Sequence, residues 1–275
     1  MSKAGAPADL IVVPARYGST RLPGKPLLPI AGRTLLERVL ANAQAAARLA
    51  GDCAVVVATD DARIADHATA LGADVALTDA ALSSGSARCC AAAHQQAVVP
   101  ARVICLQGDA PFIAPPVVAA MIAALRQGDA DVATPVYRLD WARLDRLRDH
   151  KRSNPFSGTT CVRDAQGRAL WFSKTILPAI RGEQALRQAG AMSPVWQHLG
   201  LYAYTMAALD WFAAAAPGVY EALEGLEQLR FLENGRSIAT VAVDPPEHAL
   251  SGIDTPDDLA AAEAAIARLG DPFPI

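Results

Sequence analysis

Arg16, Arg21 and Lys25 stand in one short loop with Gly18, Ser19, Thr20 and Gly24, directly after the β-branched run Ile11-Val12-Val13 and its stop at Pro14. Cations and small residues at the end of a buried strand offer positive charge and backbone N–H groups to a polyphosphate. It is not a Walker loop, because no Gly-Lys-Ser/Thr follows at the required spacing. It is not a dinucleotide fingerprint either, because G-x-G-x-x-G is absent. Solvated charge on a turn accounts for Arg16 or Lys25 singly. It does not account for their placement, among prolines and glycines, after the first strand. The loop reads as a nucleotide-binding loop.

Two carboxylates complete the chemistry. Asp109 lies on the turn Gln107-Gly-Asp-Ala-Pro111, and Asp254 lies in Gly252-Ile-Asp-Thr-Pro256 just before a helix. A triphosphate in such a loop calls for a divalent cation, and Mg²⁺ is typically held by one or two carboxylates plus phosphate oxygens. Each aspartate alone is equally well a turn or helix-cap residue. With the basic loop in place, Asp109 and Asp254 are expected to bind metal together.

The elements that must position these groups alternate through the first half of the chain. Short apolar strands are predicted at about 10–14, 54–59, 73–77, 102–106 and 131–136, with helices near 34–50, 61–71, 86–97 and 115–127. That rhythm predicts an α/β fold, a mostly parallel sheet with helices on both faces. The loops after strands one and four should then share one crevice. The second half predicts a hairpin, 159–163 and 169–174 around Asp164-Ala-Gln-Gly167, and a strand at 199–204. Helices near 206–215 and 221–234, a strand at 238–243 and a capped helix at 256–269 follow. The expectation is one domain over residues 1–275, with a small inserted antiparallel lobe at about 140–220.

Composition narrows the partners. A net charge of −3 gives no long-range attraction for nucleic acid, so phosphate binding must come from a local cationic pocket. No run of eighteen apolar residues is present, and Met1–Asp9 does not read as a secretory signal. Five cysteines without a C-x-x-C pair read as buried thiols. A soluble, cytoplasmic protein without membrane insertion is expected.

The loop pattern P-A-R-x-x-S-x-R-L-P-G-K-P-L resembles the signature of nucleotidyltransferases that join a sugar to a nucleoside phosphate. The resemblance is closest to the 3-deoxy-manno-octulosonate (Kdo) cytidylyltransferase family. It is carried by PARYGSTRLPGKPL at 14–27, VATD at 57–60, SGSAR at 84–88 and QGDAP at 107–111. Further along it continues in LWFSKTILP at 170–178, HLGLYAY at 198–204, LEGLEQLRFL at 223–232 and GIDTPDDL at 252–259. The resemblance implies transfer of CMP from CTP to a sugar acid with release of pyrophosphate, aided by Mg²⁺, for lipopolysaccharide or capsule synthesis. It implies a homodimer as well. Arg16, Ser19, Thr20, Arg21 and Lys25 would hold the triphosphate, while Ser86, Arg88 and Gln107 would surround the cytidine. Asp109 and Asp254 would bind magnesium, and His198, Tyr202, Glu227 and Gln228 would form the acceptor pocket. Arg16, Lys25, Asp109 and Asp254 would be the catalytic set.

Three positions depart from the family pattern. Ala110 replaces a glutamate in the Gly-Asp-Glu-Pro motif, Ala87 replaces one in Ser-Gly-Thr-Glu-Arg, and Thr160 stands where a lysine is usual. Lost carboxylates remove acceptors for sugar hydroxyls or partners for cations. A different acid acceptor, such as an amino-deoxy Kdo analogue or a small phosphonate, therefore stays open beside Kdo. So does a nucleotide-binding regulator without turnover.

Overall fold

The computed structural model describes residues 8–18, 22–82, 84–246 and 252–272. In chain order the elements are β1 (Asp9–Pro14), a 3-10 turn (Lys25–Leu27), β2 (Pro29–Ile30), β3 (Arg33–Thr34), α1 (Leu35–Ala50), β4 (Cys53–Thr59), α2 (Ala62–Ala70), β5 (Asp74–Leu77), α3 (Gly85–His94), β6 (Arg102–Cys105), α4 (Pro115–Gln127) and β7 (Val132–Arg138). Then come α5 (Trp141–Ser153), β8 (Thr160–Arg163), β9 (Ala169–Ser173), α6 (Glu183–Gln188), β10 (Trp196–His198), β11 (Tyr202–Thr205), α7 (Met206–Ala214), α8 (Val219–Glu224), α9 (Gln228–Glu233), β12 (Ile238–Ala242) and α10 (Pro256–Leu269).

Among the described residues ten strands form one mixed sheet, and β2 and β3 form a separate antiparallel pair. β5, β4, β1 and β6 pair in parallel. β11 then inserts antiparallel between β6 and β7. β12 lies parallel on the other side of β7. β10 pairs with the C-terminal half of β7, and β8 and β9 add beyond it, all antiparallel. The antiparallel strands at 160–198 therefore continue the main sheet rather than forming a second one.

Side chains alternate across a strand, and β1 feeds two cores. Ile11 and Val13 face the core made with Leu36 and Val39 of α1 and Met121 and Ile122 of α4. Leu10 and Val12 face the other, with Ala92 and Ala93 of α3, Leu209 and Phe212 of α7, and Phe231 of α9. All of these are nearly inaccessible to water. Complete burial of a Val, Leu, Ile or Phe side chain is worth about 1.5–3 kcal/mol. Burial on both faces is what a continuous apolar strand requires, and a charge at Val12 would break it.

Where the structure differs from the sequence expectations, the reasons are local. Of the predicted strand at 199–204 only 202–204 is strand, in β11, and β10 ends just before the predicted range. The chain turns between them at 199–201, closed by Leu201 N–H donating to Leu199 O at 2.7 Å. The predicted helix at 221–234 breaks at Gly225, whose φ of +63° suits a glycine. Helix α5 was not expected, because it buries only Leu144 and Leu147 and lacks an apolar stripe. Helix α6 was not expected either; it buries no residue.

Candidate active site

The C-terminal ends of β1, β4 and β6 are kept level by main-chain bonds: Ala15 N–H to Ala58 O and Leu106 N–H to Val12 O. The loops leaving β1 and β6, with the start of α3, enclose a cleft of about 250 Å³. Arg16, Lys25, Arg88, Gln107, Asp109 and Asp254 all line it. Ser19, Thr20 and Arg21 lie outside the described residues.

Two local devices shape this cleft. Gly24 takes a φ of +68° at the head of the 3-10 turn, and its N–H donates to Tyr17 O, so the chain doubles back and brings Lys25 inward. Gly108 approaches β1 so closely that a Cβ there would sit 2.5 Å from the Pro14 carbonyl oxygen. Only glycine fits without moving the strand end or the Asp109 turn.

Asp109 and Asp254, distant in sequence, meet because Ile253 N–H donates to Asp109 O at 2.9 Å. Thr255 caps α10 and forms a reciprocal capping box with Asp258, which fixes the approach of Asp254. Between the carboxylates sits the Lys25 ammonium, 2.7 Å from Asp109 Oδ2 and 3.0 Å from Asp254 Oδ1. Both aspartates are partly exposed to the cleft, whereas Lys25 is only 13% exposed. Two carboxylates converging on a compact cation form a hard oxygen donor set, of the kind that suits Mg²⁺ together with phosphate oxygens.

Arg88 is buried, with its guanidinium donating to Asp60 Oδ2 at 3.0 Å and to the Thr78 hydroxyl. Its charge is held at the cleft wall rather than swinging in solvent. Ser86, two residues earlier on α3, is buried as well, and its hydroxyl donates to Glu227 Oε2 at 3.1 Å. That contact joins a residue expected around the nucleotide to one expected around the acceptor.

Of the other residues expected around the acceptor, His198 and Tyr202 line a second cavity of about 490 Å³, with Lys174, Thr159, Gln197 and His150 among others, whereas Gln228 does not line it. The Tyr202 hydroxyl donates to Gln228 Oε1 at 2.8 Å. Gln228 Nε2 is buried without a hydrogen-bond partner. The Thr134 hydroxyl donates to Leu201 O at 2.7 Å, so its oxygen accepts from His198 Nε2–H at 2.8 Å. His198 is thus a neutral imidazole with the proton on Nε2. Burial first, and the Lys174 ammonium second, hold its pKa down at about 3.

Lys174 was not singled out in the sequence, although it lies within LWFSKTILP. Its Nζ is 3.1 Å from Thr159 Oγ1, and desolvation lowers its pKa against the opposing pull of Glu224. Thr160 is inaccessible to solvent; its hydroxyl donates to Thr175 O and accepts from Leu177 N–H, clipping the segment after Lys174 to β8. Asp60, Thr78 and Thr134 also escaped sequence reasoning. VATD at 57–60 was a signal for Asp60; nothing in the sequence marked Thr134.

Residues 10–238 match the model of the cytidylyltransferase family. The 3-deoxy-manno-octulosonate cytidylyltransferase of Maricaulis maris is 39% identical over 95% of this chain and 98% of its own. That of Xanthomonas oryzae is 42% identical over 95% of this chain and 97% of its own. Among solved structures, CMP:2-keto-3-deoxy-manno-octonic acid synthetase complexed with CTP superposes with a TM-score of 0.81 and 31% identity. It covers 95% of this chain and 99% of its own. A cytidylyltransferase from Leptospira borgpetersenii, 17% identical with a TM-score of 0.55, shares the fold. The chain belongs to the cytidylyltransferase family, in the group of the 3-deoxy-manno-octulosonate cytidylyltransferases.

Proposed function

We propose that this enzyme transfers CMP from CTP to the anomeric hydroxyl of 3-deoxy-manno-octulosonate, releasing pyrophosphate and supplying activated sugar for lipopolysaccharide or capsule. The observation that carries the reading is the meeting of Asp109 and Asp254 on one cation at the cleft lined by Arg16 and Lys25. The relatives' names and the likeness to a CTP complex support the same substrates.

The reaction is an in-line displacement: the acceptor oxygen bonds to the α-phosphorus, the bond to pyrophosphate breaks, and the hydroxyl proton is lost to solvent. Catalysis is then positioning and charge neutralisation. Arg16 and Lys25, with Ser19, Thr20 and Arg21 of the same loop, orient the triphosphate. Ser86, Arg88 and Gln107 hold the nucleoside. His198 presents Nδ1 as an acceptor for a sugar hydroxyl, while Tyr202, Glu227 and Gln228 orient the acid and Lys174 meets its carboxylate. Mg²⁺ held by Asp109 and Asp254 would neutralise charge on the triphosphate and on the departing pyrophosphate.

The unit is proposed to work as one domain, with the segment at about 140–220 carrying the acceptor side, and as a cytoplasmic homodimer. Val219, Tyr220 and Leu223 of α8 are each more than half exposed, and Trp171 of β9 packs edge-on against Tyr220, forming an apolar patch. A monomeric mass in sedimentation equilibrium would remove the dimer. Among the described residues no helix is long and apolar enough to cross a membrane.

The test is pyrophosphate release from CTP and Mg²⁺ with Kdo, 8-amino-Kdo, a sialic acid and small phosphonates. Strong release with Kdo is expected. Release only with another acid would reassign the acceptor and make Ala87, Ala110 and Thr160 the positions of change. No release with any acid would leave a nucleotide-binding regulator.

A further inference from the structure

Away from both cavities, α3 and α7 bring together three ligand-type side chains of different chemistry. Cys90 and His94 are one helical turn apart on α3, so both project from the same side. Asp210 faces them from α7. Its Oδ1 is 3.5 Å from Cys90 Sγ and 2.6 Å from His94 Nε2, and the three ligand atoms lie within 4.8 Å of one another. None of the three lines the nucleotide cleft or the second cavity.

The spacing can be compared with what a cation demands. Tetrahedral coordination with metal–ligand lengths of about 2.0–2.3 Å puts ligand atoms roughly 3.3–3.8 Å apart. The sulfur–oxygen separation already satisfies this. The imidazole–carboxylate pair needs to open by somewhat under about 1 Å, within reach of one rotamer adjustment.

We propose that Cys90, His94 and Asp210 form a binding site for a divalent transition metal of the zinc type, with solvent in the fourth position. A sulfur, an imidazole nitrogen and a carboxylate oxygen select borderline cations over Mg²⁺, which prefers oxygen alone. Cys90 is buried, whereas the His94 side chain is 50% exposed and Asp210 45%, so a cation enters from solvent and keeps an open face. Burial, then the Asp210 carboxylate, pushes the Cys90 thiol up to about 11, so without a cation it stays protonated. Binding exchanges that S–H proton for the metal: one metal–sulfur bond forms and one proton leaves to solvent. The metal would tie α3, whose first turn carries Ser86 and Arg88, to α7.

The experiment uses the full chain, stripped with a chelator and titrated with Co²⁺ as probe, reading the near-ultraviolet thiolate-to-cobalt charge-transfer band. We expect one equivalent of saturable band, displaced by Zn²⁺ and unmoved by excess Mg²⁺, which would occupy only carboxylate sites. Cys90→Ser should abolish the band. His94→Ala and Asp210→Asn, at half-exposed positions that keep the fold, should each weaken binding by more than roughly tenfold. Absence of a thiolate band in the wild type would overturn the site. So would an unchanged band in Cys90→Ser, or unchanged affinity in both other variants. The readout is independent of turnover, so failure here leaves the proposed transferase reaction standing.

Discussion

The Lys25 ammonium lies 2.7 Å from Asp109 Oδ2 and 3.0 Å from Asp254 Oδ1, so the basic loop neutralises the two carboxylates proposed to hold Mg²⁺. Lysine and that metal would then compete for the same oxygens until a triphosphate drew the ammonium away. Each partly exposed ion pair contributes up to about 1 kcal/mol. Lys25→Met should therefore tighten Mg²⁺ binding to the nucleotide-free enzyme by about tenfold, read by calorimetry. If Lys25 meets the triphosphate as proposed, the same variant should lose about 10²–10³ in kcat with CTP. Weaker Mg²⁺ binding in Lys25→Met would show that the lysine supports the metal rather than opposing it. Asp109→Ala should abolish turnover with the fold intact, and near-normal turnover would sink the metal assignment.

Gly108 is the contact on which this geometry rests. Its missing Cβ leaves room for the Pro14 carbonyl, 2.5 Å from where that carbon would sit. Gly108→Ala must push the Asp109 turn away from β1, at a cost of about 1–3 kcal/mol as for other overpacked sites. Denaturant unfolding should show the loss, and kcat should fall with it. A variant of wild-type stability and activity would mean the turn has slack.

Thr134 bears on the proposed acceptor side. Its hydroxyl fixes the His198 tautomer by accepting from Nε2–H while donating to Leu201 O. Thr134→Val leaves both groups buried and unpaired, a loss of about 1–3 kcal/mol in stability. With the ring free to flip, KM for the sugar acid should rise several-fold while KM for CTP stays unchanged. Equal changes in both constants would indicate general loosening instead of a positioning role.

The parts of this molecule that sequence made legible are those specified locally. The alternation of strands and helices through β7, the exact span of α4, and the Thr255 cap of α10 each follow from periodicity or a capping residue. The basic loop was legible because its residues are contiguous. The partnership of Asp109 with Asp254 depends on one main-chain bond, from Ile253 to Asp109, between loops distant in sequence. The sequence joins the two only through motif context, once the basic loop is in place. Helix α5 hides because its charged residues mask two buried leucines. Thr134 hides because a threonine in an apolar strand carries no mark of the histidine it orients.

Lys174 supplies a prediction on pH. Desolvation lowers its pKa below the usual lysine value, so the ammonium is lost earlier on the alkaline side than that of an exposed lysine. If it meets the acceptor's carboxylate, KM for the sugar acid should rise as pH climbs toward the lysine range, while KM for CTP does not follow it. His198, held neutral down to about pH 3, should contribute no limb between pH 5 and 8. Lys174→Arg, with a guanidinium that keeps its charge, should flatten the alkaline rise in KM. The same rise in that variant would assign the titrating group elsewhere.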